Sequence, residues 1–300
     1  MMETHKTLDS RMPRRGAWWL VLALAITAQV SLRWVSDSWA GKNSESPPEL
    51  FIRSGKVLKA LSLGFNGLAA DIYWTRVVQY FGSQSLAHSK RFDLLGPLLF
   101  LTTDLDPHLI VAYRFGAIFL AEKPPAGAGN PRLALQLLRR GIVQNPDYWR
   151  FWQDLGFIDY WDLKDYPSAA RAFKAGSERP GAEIWMKALA ASVAVKGGGL
   201  QTSQVLWSQI YRHAQNDAIR KSALAHLAAL KARLDMDAID GLIAAYEVKG
   251  NRAPTSIRDL VAAGILRGIP QDPSGVPYVL GADGRAQLSP RSHINLKLLE

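Results

Sequence analysis

Residues 149–180 read WRFWQDLGFIDYWDLKDYPSAARAFKAGSERP, and the spacing within them decides the fold. Trp152, Leu155 and Gly156 stand three and one apart, on one side of a helix. Lys164-Asp165-Tyr166 makes a turn. Ala169, Phe173 and Gly176 then recur at four and three, the apolar side of a second helix. Pro180 ends it, because proline lacks an N–H and clashes with a continuing helix. Working outward, Asp106-Pro107 and Asn145-Pro146 each close a helix as Arg179-Pro180 does, the prolines being 39 and 34 residues apart. The unit ending at Pro146 has Ala134, Leu138 and Gly141 on its second helix and Phe115-Gly116 on its first. The unit ending at Pro107 is weaker, with Leu95, Leu99 and Thr102. Helices are also expected over 182–196, 200–214, 217–234 and 236–249. No sustained period-two run appears before residue 250. Each helical pair is too apolar on one face to stand alone, and stacking neighbours would bury that face.

Over roughly residues 60–215 this pattern resembles the tetratricopeptide family, whose period is 34 residues. It departs at one position, where the expected aromatic three after Gly156 is Asp159, with Tyr160 beside it. The resemblance implies an α-solenoid whose concave surface, built from first-helix residues, binds a partner. Those positions hold Tyr113, Arg150, Gln153, Phe157 and Tyr160. Aromatic residues with arginine suit an interface hot spot, and packing on the neighbouring repeat is the competing reading for Phe157 and Tyr160. A second cluster, Asp71, Trp74 and Arg76, lies in LSLGFNGLAADIYWTRVVQYFG (61–82). It reads either as a docking face near a membrane or as a packed first helix with Asp71 or Arg76 paired.

The front of the chain is different. Residues 16–32, GAWWLVLALAITAQVSL, carry no formal charge, and a 20-residue span is reached if Arg33 snorkels. Trp18, Trp19 and Trp34 flank it at headgroup level. Lys6, Arg11, Arg14 and Arg15 precede it against Glu3 and Asp9, so the positive-inside rule keeps the N-terminus in the cytoplasm and exports the rest. Ser38-Trp39-Ala40 makes a cleaved signal peptide the competing reading. The expected organisation is a cytoplasmic tail (1–15), transmembrane anchor (16–35), Ser/Pro-rich linker (36–49), helical repeat domain (50–235) and C-terminal module (236–300). The fold class is mostly α, with a small helix and β-hairpin at the end.

In that last module, Thr255 or Ser256 caps a short helix, Gly264 ends it, and a hairpin turns around Ala282-Asp283-Gly284. Pro254, Leu260, Gly264, Leu266, Pro270, Asp272, Pro273, Gly275, Pro277, Tyr278, Gly284 and Ser289 resemble the end of the major pseudopilins of type II secretion, with Ser274 in place of a tryptophan. The N-terminal segment lacks the prepilin cleavage pattern. The resemblance raises calcium at Asp272 and Asp283; two carboxylates are few for that ion, and both suit turns. The whole architecture is similar to membrane-anchored tetratricopeptide proteins of bacterial envelopes, which locates the repeats on the periplasmic side of the inner membrane.

With 48% hydrophobic residues the chain is built to fold. The absence of cysteine excludes disulfides, thiolate metal sites and a cysteine nucleophile. The net charge of +10 invites a polyanion, but no block of five or six like charges occurs, which argues against nucleic acid. The six histidines make no metal-binding spacing. Gly197-Gly198-Gly199 lacks the Lys-Ser/Thr of a phosphate loop, and there is no G-x-S-x-G elbow. The expectation is a non-enzymatic scaffold without cofactor, binding other membrane or envelope proteins, with any small-molecule ligand unknown. The alternatives are an accessory component of a type IV pilus or type II secretion machine, and a non-catalytic subunit of an envelope enzyme complex.

Overall fold

The computed structural model describes residues 24–32, 54–248 and 253–300. The expected tail (1–15), the linker (36–49) and most of the anchor (16–35) lie outside the described residues. Residues 24–32 form an exposed helix, α1. Among the described residues no helix is long and apolar enough to cross a membrane.

Residues 51–300 make a unit of their own. Its helices are α2 (Gly55–Leu61), α3 (Asn66–Leu86), α4 (Leu95–Leu105), α5 (Ile110–Ala121), α6 (Pro131–Gln144) and α7 (Trp149–Trp161). There follow α8 (Tyr166–Ser177), α9 (Ile184–Lys196), α10 (Leu200–Arg212), α11 (Asp217–Val248) and α12 (Ile257–Ala262). The order α3 on α4, α5 on α6, α7 on α8, α9 on α10, with each pair against the next, is the packing of adjacent helices found in helical repeats. The local chemistry explains the boundaries. Asn130 accepts from the Leu133 amide at 3.1 Å, with Pro131 opening α6. Asp165 accepts from the Ser168 amide at 3.0 Å to start α8.

Small residues let the pairs close up. A Cβ on Gly156 would stand 2.6 Å from the Phe173 ring, and one on Gly141 would stand 2.9 Å from Tyr113. Trp149, Ala169, Phe173, Met186, Leu206 and Trp207 fall in one continuous core running through α7 to α11.

Helix α11 runs through the boundary expected at 235/236. It is one helix of 32 residues, where two helices, 217–234 and 236–249, were expected. At about 100° per residue, Ile219, Ala223, Leu227 and Leu230 share one side, whereas Ala232, Met236, Ile239 and Ile243 share roughly the opposite side. The first set joins the repeat core and the second joins the core of the C-terminal module. Neither glycine nor proline interrupts residues 217–240, so the backbone continues while its apolar side changes.

The C-terminal module packs on that second side. Ser256 and Asp259 form a reciprocal capping box at the start of α12. Strands β1 (Val279–Leu280) and β2 (Ala286–Gln287) pair antiparallel, Val279 opposite Gln287 and Leu280 opposite Ala286. The Tyr278 hydroxyl donates to Asp235 at 3.1 Å and the Ala286 amide donates to Asp240 at 2.7 Å, so α11 holds the module by two carboxylates. Burial, then the Asp235 charge, pushes the Tyr278 phenol well up. A 3-10 turn, Leu296–Leu299, returns to α11 and α9.

Candidate functional site

Helix α7 is apolar on two opposite sides, and each side fronts a different cavity. On one side stand Asp154, Phe157 and Trp161. Phe157 stacks on Trp161 with ring centroids 4.7 Å apart and meets Phe173 edge-on at 5.1 Å. Tyr160 meets Trp161 at 5.6 Å and Tyr166 at 5.2 Å, and its hydroxyl accepts from Lys196 Nζ at 2.9 Å. Trp161 is 57% exposed despite its size.

These rings divide a cleft in two. Between α5 and α7 lies a cavity of about 260 Å³, with Ile118, Glu122, Ile158 and Asp162 on its walls. Between α7 and α9 lies one of about 200 Å³, where Leu189 and Lys196 face Leu298 and Leu299 of the 3-10 turn. Phe157 and Trp161 border both. Arg114 grips Asp154 through two hydrogen bonds of 2.6 and 3.0 Å, tying α5 to α7 below the first cavity. The hydrogen bond to that carboxylate raises the Arg114 pKa. Burial, with the Glu122 charge second, raises the Asp162 pKa.

On the other side of α7, Trp152, Leu155 and Asp159 face a cavity of about 520 Å³ between α6 and α8. Asp159 is 3% exposed. Burial, with the Asp165 charge adding to it and Arg139 and Arg171 opposing it, pushes its carboxyl up to about 6. The buried Trp152 Nε1 has no hydrogen-bond partner among the described residues.

The expected site residues separate into three groups. Phe157 and Tyr160 lie together in the aromatic wall; both are half-buried, so each packs on a neighbour and borders the cleft. Arg150 is exposed, its guanidinium 4.5 Å from the centre of the Trp149 ring, and Gln153 is half-buried. Tyr113 is corrected: it is fully buried under Gly141, edge-on to Phe151 at 5.4 Å, and burial pushes its phenol up to about 12. The apolar stripe of α5 is Tyr113, Gly116, Ala117 and Leu120, and a hydroxyl on the stripe does not turn the residue outward. In the second cluster, Asp71 and Arg76 are exposed, Arg76 lying 5.4 Å from the Tyr73 ring, and half-buried Trp74 stacks parallel to Phe119 at 6.4 Å. Among the described residues neither Asp71 nor Arg76 pairs with an opposite charge on another helix. Trp161 was missed; its signal is the i+4 spacing from Phe157.

In the C-terminal module, Asp272 Oδ1 accepts from the Ser274 and Val276 amides at 2.8 and 3.0 Å and from the Ser274 hydroxyl at 2.6 Å. Ser292 donates to Oδ2. Asp283 accepts from the Arg285 amide and Gln287 Nε2, both at 3.2 Å. Both carboxylates are committed to turns, and no group of three acidic or histidine residues able to hold a metal occurs among the described residues. No protein-family model, curated protein or solved structure matches the chain.

Proposed function

We propose that this chain is a membrane-anchored, tetratricopeptide-like scaffold that holds other proteins of a bacterial envelope complex against its α5–α7–α9 side. In this reading residues 16–35 span the cytoplasmic membrane once, with the N-terminus inside and the repeats outside. The chain has no catalytic role, cofactor or nucleic-acid partner. The observation that carries the reading is the Phe157–Trp161 wall: a tryptophan 57% exposed beside two apolar cavities. A large exposed ring in contact with a second ring, with a charged rim of Glu122, Asp162 and Lys196, suits a desolvated anchor for a partner side chain.

A second reading, an accessory component of a type IV pilus or type II secretion machine, draws on the Asp272–Tyr278 turn and the hairpin after it. The test is affinity recovery of the full chain after mild detergent extraction. A reproducible set of envelope proteins is expected, recovered at least about tenfold less well with Trp161→Ala. Pilin or secretion-machine subunits in that set would favour the second reading. Equal recovery with Trp161→Ala would remove the proposed binding side, and a chain that extracts alone would remove the scaffold.

A further inference from the structure

Among the described residues of the unit 51–300, a run of exposed apolar side chains lies at its beginning, on α2, α3 and the turn between them. Helix α2 buries Gly55 and Leu58 and packs on α4. Helix α3 buries Ala70 and Val77. Left outside are Val57 and Leu61 on α2, Leu63 and Phe65 in the turn, and Leu68 and Ile72 on α3. Leu61 is 62% exposed, Leu63 84%, Phe65 70% and Leu68 62%. On α3, Leu68 and Ile72 are one turn apart and roughly opposite Ala70 and Val77, so this is an unpartnered helix side and not a fraying core.

The turn itself is strained. Leu63 has φ +49°, in the left-handed region that costs a non-glycine residue about 1 kcal/mol. Gly64 follows with φ +93° and open space around it. The chain keeps this geometry through the Ser62 amide bonded to the Leu58 carbonyl at 2.9 Å and the Phe65 amide bonded to the Ser62 carbonyl at 2.8 Å. The result is a projecting tip carrying two bare apolar side chains, held by backbone hydrogen bonds at its base.

Charge identifies the occupant. Across residues 54–72, which hold the whole apolar set, Lys56 and Lys59 are exposed on α2, and the one acidic residue is Asp71, beside Ile72. Exposed apolar side chains on a segment with a net positive charge match a bilayer interface bearing anionic headgroups. Sequence order agrees with this, since the proposed anchor ends at Val35, only residues 36–53 before Ser54. We propose that the α2–α3 tip, with Leu61, Leu63, Phe65 and Leu68, sits in the interface of an anionic lipid bilayer. There it would fix the orientation of the repeats on the membrane. The inference rests on the anchored reading above, and the experiment separates the two.

The absence of native cysteine permits single-site nitroxide labelling of the full chain. Leu63→Cys, Phe65→Cys and Leu68→Cys are compared with Ala25→Cys in the apolar N-terminal segment and Val143→Cys, exposed on α6. Each is reconstituted in phosphatidylcholine–phosphatidylglycerol vesicles with a water-soluble nickel chelate on both sides. Collisions with oxygen, concentrated in lipid, are compared with collisions with nickel. Labels at 63, 65 and 68 are expected to be oxygen-favoured like that at 25, with 143 nickel-favoured. Nickel-favoured labels at 63, 65 and 68 beside an oxygen-favoured 25 would overturn the inference and leave the anchor standing. Shielding of those three labels from both reagents would overturn it in favour of a protein interface, including a second copy. A nickel-favoured label at 25 would remove the anchor and this inference together.

Discussion

A Cβ on Gly156 would meet three atoms of the Phe173 ring within 2.8 Å, and that ring is buried and meets Phe157 edge-on at 5.1 Å. Gly156→Ala therefore gains helix propensity of about 1 kcal/mol but forces α7 off α8, and overpacking of a closed core dominates at about 1–3 kcal/mol. Urea unfolding is expected to show a lower midpoint with unchanged slope. Gly241→Ala, with open space around it, should raise the unfolding free energy by up to about 1 kcal/mol and so raise the midpoint; equal behaviour of the two would refute the close approach. Asp159 gives the pH prediction. Its carboxyl rises from 3.8 to about 6 on folding, chiefly through burial, so the native state binds the proton more tightly than the unfolded chain. Its contribution to stability is greatest below about pH 4 and is lost as pH rises through about 6, on the order of 2 kcal/mol across the window. Relative to the native chain, Asp159→Asn should become more stable as pH rises from 4 to 7. A constant difference across that range would refute the assignment. Much at this scale was legible in sequence: Trp152, Leu155, Gly156, Ala169, Phe173 and Gly176 all line or border the α7–α8 contact because spacing alone selects a helix side. Tyr113 was not, since a first-helix position was read as surface where the 113–116–117–120 stripe is buried.

At the scale of elements, the breaks marked by proline were readable, because proline both stops a helix and removes a donor. Helices α4, α6 and α8 end at Leu105, Gln144 and Ser177, two or three residues ahead of Pro107, Pro146 and Pro180. The break expected at Asp235 had no such residue behind it. It rested on a change of apolar pattern, and a helix can change the side it buries without stopping. The same helix carries the contacts that fasten the C-terminal module. Asp240→Ala leaves the buried-side Ala286 amide without its 2.7 Å acceptor, at a cost of about 1–3 kcal/mol. Hydrogen exchange should accelerate in β1, β2 and α12 and stay unchanged in α5–α8. Uniform acceleration would mean that Asp240 supports the whole unit.

For the whole molecule, the aromatic wall was half visible: Phe157 and Tyr160 could be named from spacing, but the cleft they border is made by Leu298 and Leu299 arriving from far along the chain, and no local pattern encodes that return. Long-range closure is invisible to a reading that works by neighbours. The opposite apolar sides of α11 carry a further consequence. A helix of 32 residues is about 48 Å long and resists torsion, so it acts as an axle that sets the bearing of the C-terminal module by residue count. One alanine inserted between Lys231 and Ala232 turns everything beyond it by about 100°. Both cores should survive, each still seated on its own half of α11. Leu296–Leu299 should swing out of the cleft beside α9, seen as rapid exchange confined to that turn. The register of this one helix, counted residue by residue, therefore decides whether the cleft is shut at one end or open along its length.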